Sequence, residues 1–401
     1  MAPLTEPGSR RSLSGRRVLV VSHDFPPVRS PQAIRAWHFV HAIAREAAHV
    51  VVLCRTPPAG QPLPAVPANV KLHPASPGGF ESLIDHLITW RHRHRAGTSE
   101  AFAPHDARPL ALNWKGRLVR SARRLLDLAL YPDSRVYWSR HAGQALDEML
   151  AGTRPDVALV MHEPAASLLL GERLHLAGVP WIADLADPVM APYTPRHWRK
   201  RAFALEAATL GTATRIAVTN MATAELLSER HGRLATQPLI LSQGHGEAAE
   251  APMSAPQADV PRDDRVLRLC YTGRFYTFRR VDQVVAAVAG MDGVQLVVAG
   301  PEPPAVLRDA AKRWPAKFEL HGELSHAQAL ALQRSADALL SIGNAGTVQS
   351  PGKLFEYFGA GRPVLHVASN RLDPQIGLIA SLRRGLSCDN EASAVRERLL
   401  E

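Results

Sequence analysis

The sequence predicts an α/β protein whose strands form doubly wound parallel sheets in two successive lobes. Three observations predict it. Short β-branched runs alternate with helical periodicity from Arg17 to Arg230, the pattern of parallel strands joined by right-handed crossovers. The same alternation restarts at Val266 and runs to Val367. Between the two series, Glu247 to Arg262 is rich in Ala, Pro and Glu and has no periodicity, the mark of a boundary. No short repeat accounts for the alternation, which sets a solenoid aside.

Bulk properties bound the function. The 401 residues suffice for two or three ordinary domains. A hydrophobic share of 46% with 21% charged residues is globular and excludes disordered and fibrous classes. A net charge of +10 favours anionic partners: nucleic acid, anionic lipid or phosphorylated substrates. Cys54, Cys270 and Cys388 are far apart, lack metal-ligand spacing and are odd in number, so neither a metal site nor a disulfide framework is expected. A reducing cytoplasm fits them best. Residues 1–17 are polar and basic, and the apolar run Val18 to Val21 is a strand rather than a signal core. No run of about 20 apolar residues exists, so any membrane contact is expected to be peripheral.

In the first series, Arg17 to Ser22 reads as a buried strand, 23–31 as a Pro-marked loop, Gln32 to Glu46 as a helix and Val50 to Leu53 as the next strand. A Pro/Ala-rich loop, 57–75, contains a short strand at Val70. Helices are expected over 83–96, 114–130, 136–150, 165–177, 196–210 and 222–230. Strands are expected at 157–160, 180–183 and 215–218. In the second series, strands fall at 266–271, 294–298, 318–321, 338–342 and 364–367. The helices between them fall at 281–289, 304–313, 327–336 and 353–358, and a last helix is expected over 392–400.

In doubly wound sheets ligands bind beyond the carboxyl ends of the strands. The loops at those ends hold the candidate chemistry. After the first strand comes Phe25-Pro26-Pro27, then Ser30-Pro31-Gln32 and Arg35. Here Gln32 and Arg35 offer side-chain donors where glycine would let backbone amides approach a phosphate. His162-Glu163-Pro164 ends one strand, and a histidine there can hydrogen-bond a substrate hydroxyl. Asp184 and Asp187 follow another strand, either as a helix cap and turn or as a carboxylate pair; no third metal ligand accompanies them. In the second lobe, Gly273-Arg274 ends the first strand, with Arg279 and Arg280 just beyond. Gly300-Pro301 ends the second strand. Ser350-Pro351-Gly352-Lys353-Leu354-Phe355-Glu356-Tyr357 opens a short helix. Two cations held at a strand end would stabilise an anionic group without a metal.

These segments resemble the sugar-nucleotide glycosyltransferases of the GT-B fold, particularly family 4. The Phe25-Pro26-Pro27 loop is similar to the family's first loop, and His162 to its histidine near the reacting sugar. The Asp184 to Asp187 segment resembles the family's acidic segment. Gly244 stands in its hinge turn, and Gly273, Arg274 and Arg279 match its Gly-Arg and Lys positions. The Lys353 to Glu356 helix is similar to its ribose-binding segment. Ser30-Pro31 replaces the family's glycine pair, and Val348 stands where its first glutamate would be.

The resemblance implies two Rossmann-like lobes facing a central cleft. Residues 15–246 would form an acceptor lobe and 262–385 a nucleotide-sugar lobe. Residues 386–401 would be a C-terminal helix with the option of packing back on the first lobe. It implies transfer of a sugar from a nucleotide-diphosphate donor, with retention, to a glycan or lipid-linked acceptor in bacterial surface polysaccharide or glycolipid synthesis. His162, Arg274 and Arg279 would be catalytic. Gly273, Arg274, Arg279, Gly300, Pro351, Lys353, Leu354 and Glu356 would hold the donor. Gln32, Arg35, Asp184 and Asp187 would form the acceptor and phosphate loop. No metal and no cofactor are expected.

The basic stretch 86–130, with Trp114, reads either as an amphipathic helix lying on an anionic membrane, at the inner face of the cytoplasmic membrane, or as a solvated helix of the first lobe. A nicotinamide oxidoreductase would need Gly-x-Gly-x-x-Gly after the first strand, which His23-Asp24-Phe25-Pro26 lacks. No nucleic-acid recognition motif accompanies the charge. A sugar-nucleotide epimerase of the same fold and a catalytically degenerate GT-B partner subunit remain as alternatives.

Overall fold

The computed structural model describes residues 13–28, 30–57, 61–79, 82, 130–191, 194–242, 244, 266–275, 279–344 and 352–401. The helix expected over 83–96, all but the last residue of that expected over 114–130, the boundary segment 247–262, Val348 and Pro351 lie outside the described residues. The chain divides into two compact units, the first ending at Leu241 and the second taking up the chain at Ser242.

The first unit runs β1 (Arg17–Val21), α1 (Pro31–Ala44), β2 (His49–Arg55), β3 (Val70–Ala75), α2 (Val136–Ala151), β4 (Val157–Met161), α3 (Leu169–Leu176), β5 (Trp181–Leu185), α4 (Arg199–Thr212), β6 (Arg215–Val218), α5 (Met221–His231) and β7 (Leu239–Ile240). Single 3₁₀ turns, Ala165–Leu168 and Arg196–Trp198, lead into α3 and α4. All strands pair in parallel in the order β3-β2-β1-β4-β5-β6-β7. The near-continuous apolar runs follow from burial on both faces. Leu19 and Val21 pack with Trp138, Leu174 and Trp181 on one side, while Val18 and Val20 pack with Val40 and Val52 on the other.

The second unit runs β8 (Leu267–Thr272), α6 (Asp282–Ala289), β9 (Val294–Ala299), α7 (Ala305–Arg313), β10 (Phe318–His321), α8 (His326–Ser335), β11 (Ala338–Ile342), α9 (Gly352–Ala360), β12 (Val364–Ala368), α10 (Pro374–Leu382), β13 (Gly385–Asp389) and α11 (Ala392–Leu400). Its parallel sheet has the order β10-β9-β8-β11-β12-β13.

Residues 386–401 depart from the sequence expectation. They begin as β13, which pairs with β12, and α11 packs on α6 and β13 with Val395 fully buried in the core of the second unit. Both sheets thus share one winding, 3-2-1-4-5-6 in local numbering, with β7 added at one edge of the first. The order reverses between β1 and β4 and between β8 and β11, and these switch points are where doubly wound sheets open a ligand crevice.

Candidate active site

In the second unit, the β8 and β11 ends bring together most of the residues singled out from the sequence. Gly273 leaves β8 with φ +139°, a conformation that side chains rarely adopt. Its N–H donates to the Ala299 carbonyl at 2.7 Å. A Cβ on Gly273 would lie 2.5 Å from Lys353 Cε, so the lysine stem crosses the bare face of the glycine. A Cβ on Gly300 would lie 2.0 Å from the Gly273 carbonyl oxygen. Gly300 therefore backs the Gly273 turn, which holds the main chain where Lys353 can cross it.

Arg274 is exposed, and its carbonyl accepts from the Tyr271 hydroxyl at 3.1 Å. Tyr271 stacks on Phe275 with ring centroids 4.3 Å apart. Arg279 Nε donates to Asn344 Oδ1 at 3.0 Å, tying the β8 loop to the β11 loop. Tyr271, Arg279, Ser341, Lys353 and Tyr357 line one small cavity, so the site places two cations on a common space. Glu356 lies one turn along α9 from Lys353, 3.8 Å from its ammonium and partly exposed.

Helix α9 is positioned from below. The Tyr357 hydroxyl accepts from the Thr272 N–H at 3.0 Å and donates to the Thr272 carbonyl at 3.3 Å. Its full burial raises its pKa far above the phenol range and keeps it protonated. Leu354 is a correction to the expected site: its side chain is 1% exposed and belongs to the core beneath α9, so only its main chain lies at the ligand edge.

A buried polar chain that the sequence did not reveal supports the β11 loop. His366 is fully buried, with Nδ1 3.1 Å from Ser341 Oγ and Nε2 3.1 Å from Asp373 Oδ2. Asp373 caps α10, and Ser369 Oγ donates to the Gly343 carbonyl at 2.7 Å. These bonds fix Gly343 and, through it, the Asn344 that holds Arg279.

The first unit builds its switch point differently. Gln32 donates to the His162 carbonyl at 2.6 Å, joining the β1 and β4 loops. His162 is 5% exposed, and burial lowers its pKa against the opposing pull of Asp187 and Asp133. Its ring bonds the main chain of Asp187, while Nδ1 has no partner among the described residues. His162 and Asp187 are thus brought together at the ends of β4 and β5.

Arg35 and Asp184 are corrected. Arg35 Nε and Nη2 donate to the two Asp184 oxygens at 2.8 and 2.7 Å, and Nη2 also donates to the Leu241 carbonyl. The two side chains are 1% and 0% exposed, so they brace the loop and chain exit rather than face a ligand. Ser30 caps α1 by accepting from the Ala33 N–H at 3.0 Å, so this helix start satisfies its own amide.

The sequence reading also passed over His23 and Asp24. His23 Nδ1 sits 2.8 Å from Asp24 Oδ1, and the His23 ring meets Trp138 edge-on. Burial raises the Asp24 pKa, but the hydrogen bond to and charge of His23 outweigh it and leave the carboxyl at about 2. Among the described residues, no group of three His, Cys, Asp or Glu could hold a metal ion, and no helix is long and apolar enough to cross a membrane. A cavity of about 500 Å³ lies at the opposite, amino-terminal edge of the first sheet, near Arg17, His49 and Val70, and holds none of the predicted residues.

No family model and no curated protein matches the chain in sequence. Solved structures do match in shape. Sucrose-phosphate synthase from Thermosynechococcus elongatus covers 96% of this chain and 89% of its own at 14% identity, with a TM-score of 0.64. The chain has the GT-B fold. The UDP-forming α,α-trehalose-phosphate synthase from Burkholderia vietnamiensis gives 13% identity, 96% and 91% coverage and a TM-score of 0.59. HepE of Anabaena, solved with UDP, gives 11%, 95% and 88%, and 0.55. At such identities the likeness is one of fold.

Proposed function

We propose that the chain is a glycosyltransferase that takes a sugar from a nucleotide-diphosphate donor bound in the second unit. The observation that carries it is the convergence of Arg279 and Lys353 on one cavity at the β8/β11 switch point, with Glu356 a helical turn away. The guanidinium and ammonium would take the diphosphate charge that grows as the glycosidic bond breaks, with Arg274 at the rim. Glu356 would accept from the ribose hydroxyls. The bare face of Gly273 lets the Lys353 stem cross the turn and bring its ammonium to the phosphates.

In the first unit, His162 as a neutral imidazole would hydrogen-bond the reacting sugar or the acceptor hydroxyl, near Asp187. Retention, a glycan or lipid-linked acceptor, surface-polysaccharide or glycolipid synthesis, a metal-free and cofactor-free reaction, membrane contact through 86–130 and work in the cytoplasm belong to the same proposal. So do the lobe limits 15–246 and 262–385 and a role for Pro351. The solved HepE structures contain UDP or UDP-glucose, which makes uridine diphosphate the first donor to test.

One observation favours a second reading, a GT-B subunit that binds without turnover. The α1 start is closed by Ser30, and Arg35 is spent on Asp184, so the first unit gives fewer contacts to a donor phosphate than glycines would.

Thermal-shift measurements with UDP, GDP, ADP, CMP and NAD, on wild type, Glu356→Ala and Arg274→Ala, separate the readings. One diphosphate nucleotide should stabilise wild type and neither variant. Stabilisation without sugar transfer supports the subunit reading. Stabilisation by NAD alone, or by nothing, removes the donor site.

A further inference from the structure

Ser341 belongs both to the cation-lined cavity and to the buried polar chain beneath it. It lines the space shared by Arg279 and Lys353, and its Oγ lies 3.1 Å from His366 Nδ1. The other ring nitrogen, Nε2, lies 3.1 Å from Asp373 Oδ2. All three residues are buried. Bracing the β11 loop would need only packed side chains. A titratable ring held between a carboxylate and a hydroxyl also decides which way the hydroxyl points.

Asp373 fixes one end of this chain. Its Oδ1 accepts from the Gln375 N–H at 3.0 Å, which leaves Oδ2 for the imidazole. A carboxylate can only accept, so Nε2 carries a proton. In the neutral ring Nδ1 is then bare and accepts from the Ser341 O–H, and the serine turns its lone pairs to the cavity. In the imidazolium Nδ1 donates to Ser341 Oγ, and the O–H is free to turn to the cavity.

The surroundings make the second arrangement depend on a ligand anion. Asp373, at the start of α10, is the one charged group bonded to the ring among the described residues. Strand β11 gives Ser341, β13 gives Ser387 in register, and α9 on the same face carries Tyr357, which stays protonated. Beyond Ser341, across the cavity, lie Arg279 and Lys353, with Glu356 beside the latter. Those two cations oppose an imidazolium until a diphosphate neutralises them.

We infer that a diphosphate bound in this cavity draws a proton onto His366, which turns Ser341 from an acceptor into a donor to the phosphate. The proton comes from solvent and forms the Nδ1–H bond; no other covalent bond changes. Ser341 is then a further donor-binding residue, and His366 and Asp373 are positioning residues for its hydroxyl. The inference rests on the diphosphate reading of the cavity and adds to it a dependence on pH, since histidine changes charge between pH 5 and 8.

The test is titration calorimetry of the full chain with UDP near pH 7, in buffers of low and high ionisation enthalpy. The dependence of the observed heat on the buffer counts the protons taken up. His366→Gln supplies the baseline for protons exchanged by UDP itself. Wild type should take up roughly half a proton or more per UDP beyond that baseline, and Ser341→Ala should bind about tenfold more weakly. Asp373→Asn separates a proton switch from a brace. Asparagine caps a helix as well as aspartate. With its oxygen held by the Gln375 N–H, its amide donates to Nε2, so a neutral ring carries its proton on Nδ1 and Ser341 already faces the cavity as a donor. This variant should take up no proton beyond the baseline yet keep its UDP affinity within about threefold of wild type. Equal proton uptake by wild type and His366→Gln overturns the inference and leaves the donor site standing. So does an Asp373→Asn affinity as low as that of Ser341→Ala, which would make the chain a brace alone. A wild type that binds no UDP overturns the inference together with the donor site.

Discussion

Substituting Gly300 by alanine probes how the donor turn is held. The new Cβ would sit 2.0 Å from the Gly273 oxygen and 2.8 Å from its carbonyl carbon. Both are main-chain atoms, so no rotamer change relieves the contact, and the strands must part by roughly 1 Å or more. The movement strains the Gly273 N–H bond to Ala299 and the Gly300 N–H bond to the Gly322 carbonyl, 2.7 and 3.2 Å long. Overpacking of this kind costs about 2 kcal/mol, or roughly 4–8 °C for a unit of this size. It also pushes the Gly273 turn against the Lys353 stem, so diphosphate affinity should fall by about tenfold or more.

Gly377→Ala is the control. Gly377 lies exposed inside α10 with nothing within 4 Å of its missing Cβ, so alanine should stabilise by about 0.5–1 kcal/mol. Calorimetry and nucleotide titration read both effects. A Gly300→Ala protein that melts and binds as wild type would refute the packing argument.

Further outcomes follow from the same geometry. Arg279→Ala should weaken UDP far more than UMP, by about 2 kcal/mol if one charge-assisted contact is lost, as titration calorimetry would show. Arg35→Ala leaves Asp184 buried and unpaired, so a loss of about 3–5 kcal/mol is expected in urea unfolding of the first unit. Asp24 has a folded pKa of about 2, below its unfolded value near 3.8. It therefore contributes stability above about pH 4 that is lost as pH falls towards 2, and the gap in urea midpoint between wild type and Asp24→Asn should close over that range. His162 has a lowered pKa, so protonation opposes folding as pH drops below about 6.5. His162→Gln should flatten that limb of the stability profile.

Much of this was legible in sequence because apolar runs and strand-end loops are local signals. β1 and β8 announce themselves by β-branched runs, and Gly273-Arg274 and the Lys353 to Glu356 helix by turn chemistry. What escaped is set by register and long-range packing. Ser341 meets His366 because β11 and β12 pair at that position, and nothing within either strand specifies it. Arg35 and Asp184 lie 149 residues apart, so each reads alone as a ligand-facing charge when together they neutralise one another. β13 escaped because its residues are half exposed and lack alternation. Helix α10 carried a usable signal in Asp373-Pro374, an N-cap followed by proline at the first turn.

Amide hydrogen exchange with saturating UDP tests the central claim most directly, because it locates the diphosphate without presuming an acceptor. Protection should rise at 272–275, at 343–344 and through 352–356, and Arg279→Ala should abolish it. Protection confined to the β1 and β4 loops, or none at any nucleotide concentration that saturates a thermal shift, would contradict a donor site at the β8/β11 switch point.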